Sequence, residues 1–335
     1  MPNDEEKHQN HQQPPNGGSR AWGVALGAFA AQMCTFGYIN TFGIFQSYYS
    51  TTFLASKSSS AISWIGSLQA FFLFLFGTLS GPLSDRLGVK AVVIPSGLTL
   101  VFSVMMTSLS REYYQFILAQ GVLGGMACGM IFTPVVSCVG QYFTTRRAWA
   151  MGVVVSGAAI GGIVFPITLN RLLNHHHLSF AWSVRIIGFI MLVLLVYAAV
   201  VTREFSPRRQ KNMFLPRAFR SWPYNLTNVG FLLALLGLYT PMFYISDYAL
   251  EHGMSSQMAL YQVAIFNAPS FFGRIIPNFT GDKVGRFNIT ILTYAACAIL
   301  LFCWTAASSN AAIMVWISVF GFFSGAAFSL YSPTV

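Results

Sequence analysis

Ten stretches of this chain are each long enough, and free enough of charge, to cross a bilayer as a helix. They run roughly over 22–45, 62–82, 89–109, 116–139, 148–170, 180–202, 227–247, 258–278, 287–308 and 311–333. A spanning helix takes about 20 mostly apolar residues. Only 8% of the 335 residues are charged, against about 25% in a soluble globular domain. No soluble fold covers so much apolar surface. The pattern therefore predicts an all-α, multi-pass integral membrane protein whose first partner is the lipid bilayer.

The charges that remain are unevenly placed. The net charge of +10 invites a nucleic-acid reading, but in a membrane chain an excess of Lys and Arg is the cytoplasmic loop bias. Of 19 Lys and Arg, Arg274 alone lies well within a span. With the N-terminus in the cytosol, Lys57, Arg111, Arg171 and Arg185 fall outside and the other fourteen inside. That asymmetry predicts a cytosolic N-terminus, in the plasma membrane or an organelle membrane. No nucleic-acid partner is expected, and protein partners are not readable. Residues 1–21 read as a disordered arm, too polar to bury a core. Residues 22–202 hold six spans, 203–226 a central cytosolic loop, and 227–335 four more.

The two parts echo each other. GDKVGR, Gly281 to Arg286, repeats SDRLGV, Ser84 to Val89, with Asp282 lying 197 residues after Asp85. GVLGGMA from Gly121 repeats as GFFSGAA from Gly321, an offset of 200. Both echoes join the same elements in each half. Two parallel halves of six helices, with a substrate held between them, are a transporter plan. On that plan about ten of twelve helices are present, and the chain reads as a fragment or shortened variant.

GPLSDRLGVK, Gly81 to Lys90, gathers an acid, two bases and two glycines between apolar runs. Gly81 and Gly88 suit close packing and tight turns. Asp85 can accept from a helix N-terminus or an arginine, while Arg86 and Lys90 anchor the inner surface. The pattern resembles the loop signature of the major facilitator superfamily, G-x-x-x-D-R-x-G-x-K/R, with a partial copy in the second half. The resemblance implies that this loop latches the halves, its acid meeting the start of an eleventh helix. By the same logic Asp282 is expected at the inner end of helix five, near Arg146 and Arg147.

YFTTRRAWAMGVVVSGAAIGGIVFP, Tyr142 to Pro166, resembles the fifth-helix signature of the monocarboxylate transporters. Gly152, Gly157, Gly161 and Gly162 would let this helix approach a neighbour closely. NGGSRAWGV loosely resembles that family's first-helix motif, with Asn16 in place of an acid. The whole chain is similar to the fungal branch. In that family an arginine on helix eight pairs with the substrate carboxylate, and Arg274 in GRIIPN stands where it is expected. The other reading of Arg274 puts it near the inner end, reaching to the interface. The family's acid four residues earlier is Ser270 here, and its helix-one lysine is roughly at Asn40. No acid lies deep in a span, which favours facilitated diffusion or exchange over proton symport.

Further candidate lining groups are Tyr38, Tyr239, Tyr244 and Asn267, with Gln32 and Gln69 as mid-helix polar residues. Each doubles as an interhelical hydrogen bonder. His175–His177 has no Cys or acid at ligand spacing and reads as a solvated loop, so no metal is expected. The five cysteines read as small buried apolar groups. No catalytic motif stands out, so neither an enzyme nor a cofactor is expected. The function expected is secondary transport of a small organic anion, a monocarboxylate or related metabolite. Two other readings stay open: an exporter of a neutral secondary metabolite, and a non-transporting or sensor protein.

Overall fold

The computed structural model describes residues 15–174, 178–205, 219–255, 258–259 and 261–334. The described residues form ten long helices and no strand. They are α1 (Ser19–Phe53), α2 (Ser59–Leu87), α3 (Val89–Leu109), α4 (Tyr113–Tyr142), α5 (Arg147–Asn174) and α6 (Phe180–Val201). After the central segment come α7 (Trp222–Glu251), α8 (Gln262–Val284), α9 (Arg286–Cys303) and α10 (Asn310–Thr334). Eight are long and apolar enough to cross a membrane, and α7 makes a ninth if its bent parts count as one span. The exception is α8. Its polar residues Gln262, Asn267, Ser270, Arg274 and Asn278 are all buried, so neighbouring helices rather than lipid receive them.

The helices run past the apolar windows because their last turns are polar. Expected at 62–82, α2 continues to Leu87. Expected at 258–278, α8 occupies Gln262–Val284. Consequently the motif from Gly81 to Lys90 is not an open turn. Gly81, Asp85 and Arg86 lie inside α2, and Lys90 is in the first turn of α3. Gly88 alone breaks the helix, at φ 96°, and Gly285 does so at φ 107° between α8 and α9. Both sit in backbone that L side chains rarely adopt, which is why glycine stands at each. Gly81 serves packing instead, against Thr133 of α4. The bend of 42° in α7 follows Pro241, which cannot supply its backbone hydrogen bond.

Two hydrophobic cores form, one from α1–α6 and one from α7–α10. The groups meet chiefly through α5, which packs on α8 and α10. Inside each group the echoed glycines do the same work. Gly121 and Gly125 of α4 approach Ile65 and Gln69 of α2; Gly321 and Gly325 of α10 approach Phe266 and Ser270 of α8. The glycines of α5 serve two faces. Gly157 and Gly161 lie on the backbone of α1 at Phe29, Met33 and Gly37, while Gly152 and Gly162 face α8 at Arg274, Asn278 and Asn267. A Cβ on Gly161 would fall 2.5 Å from the Met33 carbonyl oxygen. Among helices in lipid, such close backbone approach replaces the hydrophobic effect as the source of cohesion.

Gly157→Leu should therefore lower the melting temperature of the purified protein, by a loss of about 1–3 kcal/mol or more from overpacking. Gly23→Ala should be silent, because nothing lies within 4 Å of the added Cβ. Thermal unfolding in detergent compares the two.

Candidate functional site

Arg274 is 5% exposed, deep in the seam between the two groups of helices. Its Nη1 donates to the carbonyl oxygen of Val155 on α5 at 2.7 Å. Its Nε donates to Ser270 Oγ, one turn earlier on α8, at 3.3 Å. The Tyr239 phenol of α7 lies within electrostatic reach. The guanidinium therefore does not extend to the interface. Among the described residues no carboxylate faces it, and the one ion pair joins Arg286 to Asp282. A buried cation without a counter-ion is costly. Its hydrogen bonds offset part of that cost, at about 1.5–3 kcal/mol for each bond to a charged group. The remaining N–H donors have no partner among the described residues.

Asn267 lies two turns from Arg274 along α8 and is fully buried. Its Nδ2 donates to Val263 O at 2.8 Å, and its Oδ1 has no partner among the described residues. Gly162 makes room for it. A Cβ there would stand 2.8 Å from the Asn267 amide nitrogen and 3.0 Å from that of Asn40. Asn40 of α1 and Asn267 of α8 thus meet over one glycine of α5. Beside them Ile44, Pro166, Ile167, Asn170, Tyr261 and Ala264 line a crevice of about 10 Å³, room for about one water, so the halves stand close together along this seam. Tyr239 packs edge-on against Phe328 of α10.

The other predicted lining groups lie elsewhere. Tyr38 is fully buried inside the first bundle, edge-on to Phe45, and its hydroxyl has no hydrogen bond among the described residues. Tyr244 follows the α7 bend and is 60% exposed. Gln32 and Gln69 are buried in the first bundle. Polar character in mid-helix marked all four, but it does not say which way a side chain faces. The cysteines are free, and all but the exposed Cys303 are buried. His175–His177 lie outside the described residues.

At the end where Lys and Arg cluster, a second set of contacts crosses the seam. Asp282 Oδ1 accepts from the Ala148 amide at 3.2 Å and Oδ2 from the Trp149 amide at 2.9 Å. Arg286, one turn later, donates to Asp282 Oδ1 at 3.1 Å and to Thr144 O at 3.2 Å. Asp282 therefore meets the first turn of α5, as expected, but through backbone amides. Arg146 is exposed and Arg147 does not pair with it. The reason is geometric: helix N-termini present free N–H groups that a carboxylate satisfies directly. In the first half the equivalent Asp85 has no hydrogen bond or ion pair among the described residues, and Arg86 is exposed. Lys90 Nζ donates to Val200 O at 3.2 Å. The N-terminus of α3 is instead capped by Glu204, which accepts from the Val89 amide.

Several residues of the seam were not singled out from sequence. Asn278 donates to Arg274 O at 2.7 Å and to Ser329 Oγ of α10. Its spacing, one turn after Arg274, was the available signal. Val155 and Thr144 act through their backbone carbonyls, which leave no trace in residue identity.

Two helical bundles joined along a seam with a buried cation define the transporter type of multi-pass membrane fold. The chain belongs to the Major Facilitator Superfamily, whose family profile it matches over residues 24–335. It is 46% identical over 311 residues to the aspyridones efflux protein of Emericella nidulans, covering 93% of this chain and 63% of that protein. The chain thus spans less than two thirds of that relative's length. It is 40% identical over 318 residues to the agnestins efflux protein of Paecilomyces divaricatus, covering 94% of this chain and 72% of that protein. The crystal structure of the human organic anion transporter MFSD10 matches its fold with a TM-score of 0.74 at 16% identity, covering 96% of this chain and 86% of that one.

Asp282→Ala should cost about 1–2 kcal/mol, because it uncaps a helix and removes the ion pair with Arg286. Arg286→Gln should cost less, about 0–1 kcal/mol, because the ion pair it removes is partly exposed and Asp282 keeps its two α5 amides. Thermal unfolding of the two variants gives the order.

Proposed function

We propose that this protein is an alternating-access exporter of an organic metabolite carrying an acidic group. The observation that carries this reading is the buried Arg274 guanidinium, with no carboxylate facing it and N–H donors to spare among the described residues. A carboxylate accepts from such a fork in two places, which gives both affinity and orientation. In the present arrangement one N–H is spent on Val155 across the seam. Separating the halves breaks that bond and frees the group for an anion. Asn40 and Asn267 would then read the uncharged part of the cargo, with Tyr239 beside the guanidinium.

The direction, export, is supported by the relatives named for efflux. The anionic cargo is supported by the resemblance of Tyr142–Pro166 to the monocarboxylate transporters. The basic end of the bundle faces the cytosol under the positive-inside rule, in the plasma membrane. With Ser270 where that family has an acid, facilitated diffusion or exchange is the expected mode. The Asp282 contacts, with the equivalent Asp85 turn of the first half, govern which side opens.

A second reading has its own observation. Arg274 already ties α8 to α5, so it also suits a strut in an exporter of neutral compounds. Transport by the reconstituted full chain separates the two. Under the anion reading, Arg274→Ala should abolish flux of acidic metabolites, by about 100-fold if one charged, desolvated contact of about 3 kcal/mol is lost. Arg274→Lys should restore only part of it. Under the strut reading, Arg274→Ala leaves export of an uncharged metabolite running.

A further inference from the structure

Asn16 precedes α1 and sits in the left-handed region at φ 50°, which Asn tolerates better than most residues. Its backbone amide donates to Tyr142 O at 3.0 Å. Its side-chain Oδ1 accepts three hydrogen bonds: from Thr144 N at 2.7 Å, Thr144 Oγ1 at 2.9 Å and Thr145 N at 3.0 Å. Thr144 and Thr145 form the turn between α4 and α5. A residue 128 positions away in sequence therefore stitches that turn shut.

The same turn is gripped from the other half. Arg286 donates to the Thr144 carbonyl, and Asp282 accepts from Ala148 and Trp149 just beyond it. Aromatic rings continue the contact. Trp22 of α1 lies 5.2 Å from Phe143 and 4.7 Å from Trp149, and Trp149 lies 5.8 Å from Phe279 of α8. One short segment is thus held by Asn16 on its own side of the seam and by Asp282 and Arg286 on the far side. Fixing the Thr144 and Thr145 amides fixes where the Thr144 carbonyl points, and that carbonyl is what Arg286 meets.

We propose that Asn16 is a positioning residue for the contact between the halves. It sets the strength of the Asp282–Arg286 latch without touching either residue. The segment ahead of α1 is in this way an input to gating. The proposal rests on the reading that the halves separate at this end during transport, but its test needs no substrate.

The test is hydrogen exchange by mass spectrometry on the purified full chain in lipid nanodiscs. Asn16→Gly keeps the left-handed backbone and removes the acceptor; Asn16→Asp keeps both. Losing one cap of this kind speeds local opening about fivefold. The expected result is about fivefold faster exchange in Asn16→Gly, both across 143–150 and across 280–287, with Asn16→Asp matching wild type. A peptide from α3, 92–104, should not change. Faster exchange confined to 143–147 overturns the proposal, as does an Asp variant that behaves like the Gly one. A uniform rise that includes α3 also overturns it, because it marks a purely structural residue. An Arg274 variant that still transports would sink the anion reading and leave this result untouched.

Discussion

The contact on which the rest depends is the double approach of α5, to α1 on one face and to α8 on the other. In lipid, two greasy helices gain little by touching, because the tails around them are equally apolar. Cohesion comes from backbones that come close enough for dispersion and polar contacts to count. Gly157 and Gly161 bring α5 onto α1; Gly152 and Gly162 bring α8 onto α5. Once α8 is that near, a side chain on it reaches a main-chain carbonyl on α5, as Arg274 does at Val155. The polar seam follows from the missing side chains.

The two halves repeat the same devices and use them unequally. Gly88 and Gly285 break their helices with the same backbone twist, each three residues after an aspartate. Asp282 satisfies the first turn of α5, across the seam. Asp85 has no such contact among the described residues, and Glu204 takes the nearest helix start. An acid at a repeated position is therefore not a repeated interaction. What it does depends on which helix start lies within reach.

Much of this was legible in the residues themselves. The apolar runs located all ten helices, since burying backbone polar groups in lipid leaves the helix as the way through. The echoes placed Gly88 against Gly285 and Gly121 against Gly321. The lone cation marked Arg274. Helix ends were misjudged where the last turns are polar, as in α2 and α8, because hydropathy measures lipid contact and not hydrogen bonding. That Tyr38 packs inside the first bundle, edge-on to Phe45, was not legible, because a ring in mid-helix carries no record of its direction. Val155 and Thr144 were invisible because a carbonyl is common to every residue.

The poor hydropathy of α8 bears on how the chain is made. A segment with Gln262, Asn267, Arg274 and Asn278 on its buried side pays for each of them if it enters bilayer alone, about 2.5–3.5 kcal/mol for a central arginine. Groups that relieve Arg274 and Asn278 lie on α5, synthesised roughly a hundred residues earlier, and on α10, synthesised later. An α8 that enters the bilayer beside an already formed first bundle escapes part of that cost, because the Val155 carbonyl is there to receive Arg274.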